Sequence, residues 1–258
     1  MIFDYFSCPE QIIEMIQNDD QEDLEFYLRN ARSCRNPVLI IPSGTGRIAV
    51  ALASEGMKVI GVEENKTLIE IARKRMLYAG KLKGNIMLLR SGSNELSVNE
   101  SFGMAVYPNF SFQNLFTVEQ QVEVLTRIFD RLKNNARLII NIEFADINNF
   151  ISARKSNKQV IKRNIKINYQ KFRVIMEESR NYSYFDQMVD KKYDFEIIDE
   201  EENTTEYKSF GFRQRFFHRF EFQNLLERCG YTIENLFGDF KENDFNQVCS
   251  EMIWIAKK

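Results

Sequence analysis

Ser43, Gly44, Thr45 and Gly46 follow the apolar run VLIIP, and Glu63 ends the next apolar run, VIGVE. A bend of small residues frees backbone N–H groups and lets the chain approach a ligand closely. A carboxylate closing the following strand can accept hydrogen bonds from ribose hydroxyls. These residue types at this spacing suit a nucleoside-containing cofactor. The bend is not a Walker phosphate loop, because no Gly-Lys-Ser/Thr follows it. Nor is it G-x-G-x-x-G. Pro42 stands where a first glycine is often found and brings no amide donor.

Such groups need a strand, a turn and a helix to hold them. Strands are predicted at 37–41, 58–63, 85–90, 103–107 and 136–143. Helices are predicted at 21–32, 46–55, 66–79 and 117–132, from apolar residues at helical spacing. Ser7, Pro9 and Glu10 read as a capping box opening a further short helix. Strands alternating with helices imply a parallel sheet covered on both faces. After residue 144 the rhythm changes. Residues 147–176 carry eight Lys/Arg and no acid, whereas 190–206 carry eight Asp/Glu. Segments 171–178, 182–189, 193–199 and 205–217 are aromatic and β-branched. They read as a helical lead-in and a small antiparallel platform. A helix at 220–229 and strands at 231–237 and 249–256 then restore the first pattern. Residues 1–146 and 219–258 thus form a cofactor-binding core, with 147–218 inserted as a lid or substrate-binding subdomain.

Composition narrows the classes. With 258 residues, 44% apolar, the chain can build one core with an elaboration. Net charge is −2, so nothing attracts nucleic acid globally. Four scattered cysteines without a C-x-x-C favour a thiol-bearing cytoplasmic protein. No signal peptide or membrane-length apolar run is visible. One histidine and scattered cysteines suggest no zinc cluster.

The fragments DLEFYL (23–28), PVLIIPSGTGRIAVALASEGMKVIGVEEN (37–65), YPNFSFQNLFTVEQQ (107–121), FDRLKNNARLIINIE (129–143), LLERCGY (225–231) and FGDF (237–240), in that order, carry a resemblance. The chain resembles a class I S-adenosylmethionine-dependent methyltransferase of the bacterial small-molecule branch. The resemblance implies a seven-stranded, mostly parallel Rossmann-like sheet with helices on both faces, plus a small antiparallel lid after strand five. It implies S-adenosylmethionine as cofactor and a small-molecule methyl acceptor, in a monomer or homodimer. Ser43, Gly44, Thr45 and Gly46 would lie against the methionine part, with Arg47 capping or orienting the loop, and Glu63 would hold the ribose. Ser93 and Asn94 would flank the adenine. Tyr107, Pro108 and Ser111 would reach cofactor and acceptor, with Phe110 and Phe112 either there or in the core. Tyr27 resembles an aromatic that closes over the cofactor.

Three departures stand out: Pro42 for a glycine, Ser93 for an acid, and Asn134-Asn135 for a Gly-Gly turn that Asn also tolerates. A non-catalytic descendant of the fold is the main rival reading, and an NAD-dependent oxidoreductase the weaker one. Methyl transfer needs alignment above all, and a base only when the nucleophile arrives protonated. His218, in RFFHRF where the insertion rejoins the core, is the candidate base or else a structural histidine. Tyr182, Tyr184, Phe185, Phe212 and Phe216 are candidate walls of the acceptor site.

Overall fold

The computed structural model describes residues 22–34, 36–96, 98–144, 159–166, 173–199, 201 and 203–258. The expected helix opening at Ser7 lies outside them. The core elements run α1 (Glu22–Arg32), β1 (Val38–Ile40), α2 (Arg47–Ser54), β2 (Lys58–Glu63), α3 (Lys66–Ala79), β3 (Asn85–Arg90), β4 (Phe102–Tyr107), α4 (Val118–Arg131) and β5 (Leu132–Glu143). Four strands follow, β6 (Gln159–Lys166), β7 (Arg173–Ser183), β8 (Met188–Ile198) and β9 (Thr204–Arg215). The chain ends with α5 (Arg219–Arg228), β10 (Thr232–Phe237) and β11 (Glu251–Lys257).

The core strands form one seven-stranded sheet in the order β10-β11-β5-β4-β1-β2-β3. β1 pairs in parallel with β2 and β4, and β11 runs antiparallel between β5 and β10. All three residues of β1 are buried, as a strand covered on both faces requires. Leu39 faces one apolar cluster with Ile60, Phe112 and Trp254, while Val38 and Ile40 face the other with Phe26 and Ile48. Asn65 caps α3 by accepting from the N–H groups of Thr67 and Leu68 at 2.8 and 3.3 Å. Thr117 and Gln120 form a capping box on α4. Asn135 takes φ 62°, the left-handed turn its residue type tolerates.

The strand order reverses between β1 and β4. In open α/β sheets ligands gather beyond the carboxyl ends of strands at such a point. The bend 43–46 and the loop 108–116 leave β1 and β4 there, side by side.

The inserted strands make a separate four-stranded antiparallel sheet, β6-β7-β8-β9. Two expectations needed correction. Residues 159–166 form a strand within the stretch read as a helical lead-in. Tyr184–Gln187 form the turn of the β7–β8 hairpin, so 182–189 is not one strand. Imperfect alternation hid both boundaries, since aromatic residues favour strands and populate this turn as well.

Candidate functional site

The bend after β1 is built around Glu63. Glu63 Oε2 accepts from the Gly44 N–H at 2.9 Å, and Oε1 accepts from the Asn65 N–H at 3.0 Å. The side chain is 2% exposed. Burial pushes its carboxyl above the ordinary value, and the Asn65 and Gly44 amides oppose that rise. Glu63 is therefore not a solvated acid at a strand end. It joins β2 to the bend and keeps lone pairs for further donors.

Gly44 and Gly46 have φ of 54° and 76°, values that favour glycine. A Cβ on Gly46 would lie 2.9 Å from Ala72 Cβ, so α2 and α3 meet at this residue. Gly61 makes room in the same way, since its Cβ would fall 2.9 Å from Ser43 Cβ and 2.8 Å from Leu88 Cδ2. Sequence reasoning passed over Gly61, which sits in an ordinary-looking strand. Ser43 donates its N–H to Val62 O at 2.8 Å, while its buried Oγ has no partner. The Ile41–Pro42 peptide is cis.

Arg47 is buried and makes a two-pronged pair with buried Asp23 of α1, one prong at 2.8 Å. Arg75 Nε donates to Thr45 O at 3.1 Å. Arg47 thus ties α1 to the start of α2. Asp23 lies in the quoted DLEFYL fragment but carries no local signal of its partner. Tyr27 is 1% exposed and packs edge-on to Phe26 and Phe240, at 5.8 Å from each ring, inside the second apolar cluster.

The loops after β3 and β4 meet at Tyr107. Tyr107 is buried, and burial lifts its pKa to about 12, with the nearby Ser93 side chain opposing the rise. Ser93 and Asn94 lie in a short 3-10 helix, 93–95. After Pro108 the backbone passes through Asn109 and Phe110 with φ of 58° and 54°. Two successive non-glycine residues in that region mark strain, which clusters at functional loops. Ser111 Oγ closes back on Pro108 O. Phe112 is buried against Tyr107, Phe217 and Phe222 and belongs to the core.

The antiparallel sheet meets this edge through polar groups. Glu143, ending β5, pairs with Arg180 Nη1 at 2.8 Å and with Lys191 Nζ. Burial alone would raise the Glu143 carboxyl, but Lys191 and Arg180 together hold it below the ordinary value. Arg180 Nε also reaches Glu178 Oε1 at 2.6 Å. Gln113 donates to Arg215 O at 2.9 Å and accepts from the Glu143 N–H at 2.7 Å. Gln214 Nε2 donates to Phe110 O and to Asn114 Oδ1 at 3.3 and 3.2 Å. No motif announces these partners.

His218 is exposed, at the N-cap of α5, where Glu221 Oε2 accepts from its backbone N–H at 3.3 Å. Phe185 is 98% exposed at the hairpin tip, so it walls nothing, while Phe216 is buried. A cavity of about 300 Å³, lined by Ser33, Gly103, Asn134 and Arg137, lies at the opposite, amino-terminal edge of the parallel strands. Among the described residues no cluster of His, Cys, Asp and Glu is fit to hold a metal ion, and no helix is long and apolar enough to cross a membrane.

Residues 38–135 match the family described as "Methyltransferase domain". No curated protein matches the chain in sequence. Among solved structures, an S-adenosylmethionine-dependent methyltransferase from Clostridium acetobutylicum ATCC 824 superposes with a TM-score of 0.76 at 12% identity, over 95% of this chain and 94% of that one. CalS10, an amino pentose methyltransferase from Micromonospora echinaspora, gives 0.73 at 12%, over 97% and 98%. The sugar N-methyltransferase KedS8 from Streptoalloteichus sp ATCC 53650 gives 0.71 at 10%, over 100% and 95%. The glycine bend and the terminal acid fall inside the stretch that matches the methyltransferase-domain family, and the chain as a whole shares the fold of these solved methyltransferases.

Proposed function

We propose that the chain methylates an amine nitrogen of a small, sugar-like acceptor. The residues fit the donor. Gly44 and Gly46 keep the bend free of side chains, Ser43 Oγ is buried without a partner, and the Glu63 carboxylate stands at the end of β2. Glu63 would receive the ribose, Ser43–Gly46 the amino-acid part, and Ser93, Asn94 and Tyr107 the adenine side. Pro108, Ser111 and Tyr27 complete the proposed set. The sheet of 159–215 would act as the lid.

S-adenosylmethionine supplies an electrophilic methyl group on a sulfonium. The acceptor's nitrogen pair forms the new bond to carbon, the carbon–sulfur pair stays with sulfur, and the product ammonium sheds its proton to solvent. The chain's work is to align the nitrogen and exclude water.

The observation that carries the choice of nitrogen is that, among the described residues, the titratable groups named at this edge are engaged, buried or turned to solvent. Glu63 holds two amides, Glu143 holds two cations, Tyr107 is buried with its pKa at about 12, and His218 is exposed at a helix start. An amine needs no base once its lone pair is free, whereas a hydroxyl does. The likeness to CalS10, an amino pentose methyltransferase, and to KedS8, a sugar N-methyltransferase, supports the same reading.

The test has two arms. S-adenosylhomocysteine should raise the melting temperature and NAD should not, because only a native-state ligand stabilises by mass action. Incubation with S-adenosylmethionine and amino hexoses, with the amine at each ring position in turn, should yield N-methylated product by mass spectrometry. Products from hydroxy hexoses alone would overturn the nitrogen assignment.

A further inference from the structure

In an antiparallel sheet, directly paired residues share a face, and successive residues alternate. Arg180 pairs with Lys191, and Lys191 with Phe212; Tyr182 pairs with Val189, and Val189 with Gln214. Gln214 is therefore on the same face as Lys191, whose ammonium reaches Glu143 at the end of β5. This face is turned toward the core, with Lys191 3% and Gln214 4% exposed.

The Gln214 amide cannot be reversed. Its Nε2 lies against Phe110 O and Asn114 Oδ1, so reversal would set oxygen against the Phe110 carbonyl. Its Oε1 is buried and has no partner. A carbonyl left so is costly, and its site calls for a donor. Asn109 and Phe110, the strained pair after β4, are the loop to which this side chain is tied.

We infer that Gln214 Oε1 receives an N–H of the acceptor amine and sets the selectivity for nitrogen. This rests on the amine reading above and deepens it. An amide oxygen accepts hydrogen bonds but takes no proton at neutral pH. It cannot complete transfer to a hydroxyl, which must lose its proton. It suits an amine, whose N–H becomes a stronger donor as the nitrogen turns cationic. The bond therefore strengthens toward the transition state, so its loss falls on kcat more than on KM.

Gln214→Leu removes the acceptor oxygen, and Gln214→Glu replaces it with a carboxylate. The wild type and both variants are assayed with S-adenosylmethionine and the best amino hexose from the panel. S-adenosylhomocysteine affinity and thermal melts serve as controls for folding and cofactor binding. The expected result for Gln214→Leu is a kcat roughly ten- to a hundredfold lower, with a smaller change in KM and unchanged S-adenosylhomocysteine affinity. For Gln214→Glu, the carboxylate favours the ammonium form of the acceptor, so the acid limb of kcat/KM moves to higher pH. A mere loop anchor would not move that limb, and the limb also decides the matter if Gln214→Leu fails to fold. N-methylation by Gln214→Leu within twofold of wild-type kcat, or an unmoved limb in Gln214→Glu, overturns the assignment and leaves the amine reading intact. Absence of N-methyl product from the wild type overturns both.

Discussion

The Glu63 oxygens hold the Gly44 and Asn65 amides, and the proposed function gives the same carboxylate the ribose. Removing it orphans two donors as well as a ligand partner. Glu63→Ala is expected to weaken S-adenosylmethionine binding by about 1–3 kcal/mol. It should also lower thermal stability, because both amides lose their acceptor. Titration calorimetry and a melt on one sample measure both, and wild-type affinity in the variant would remove Glu63 from the cofactor site. Gly46 is bound to packing in the same way. Gly46→Ala adds a Cβ 2.9 Å from Ala72 Cβ at φ 76°, so both the helix contact and the bend suffer. The double variant Gly46→Ala, Ala72→Gly should regain part of the lost melting temperature. No recovery would place the whole cost in the backbone. Gly44 and Gly46 were legible in the sequence as a ligand-approach signal. The close approach of α2 to α3 at Gly46, and of Ser43 to β2 at Gly61, was not, because close approach is a property of pairs of elements.

At the scale of elements, the junction between the antiparallel sheet and the core is the sharpest case. Glu143, Arg180, Lys191 and Glu178 lie in one group, with Lys191 and Glu178 buried and Glu143 and Arg180 mostly so. Breaking a buried pair leaves an uncompensated charge, whereas replacing both partners by apolar residues is far milder. Glu143→Leu and Lys191→Met should each cost about 3–5 kcal/mol. The double variant should cost clearly less than their sum, with a coupling of about 2 kcal/mol in a urea-unfolding cycle. Strict additivity would show that the pair does not hold the two sheets together. Lys191, a cation within the acidic stretch 190–206, reaches the core acid Glu143. Charge composition alone does not reveal which strand face a residue occupies.

For the whole molecule, acid stability depends on the closing edge of the large sheet. Glu234 on β10 pairs with Arg137 of β5 and Lys257 of β11, at 2.7 and 2.9 Å. Its hydrogen bond with Arg137 is the main reason its pKa falls from 4.5 to about 2. A carboxylate with a depressed folded-state pKa contributes its stability in full above the ordinary value and loses it as pH falls through about 2. Glu234→Gln should therefore lose about 1–2 kcal/mol at neutral pH, allowing for partial solvent screening. It should also flatten the stability curve between pH 4.5 and about 2. An unchanged slope, measured by urea unfolding across that range, would assign the acid sensitivity to other carboxylates.

The sequence by itself determined the alternating core, the bend between β1 and α2, the acid at Glu63 and the left-handed turn at Asn135. These features are local, since apolar periodicity, caps and turn residues act between near neighbours along the chain. The tertiary structure alone decided that Arg47 pairs with Asp23, that Lys191 meets Glu143 and that Gln214 reaches Phe110 across 104 residues of chain. In the inserted sheet the physical reason is register. Slipping a strand by one residue turns every side chain to the other face, and that choice is made by packing against the core, not by the strand's own residues.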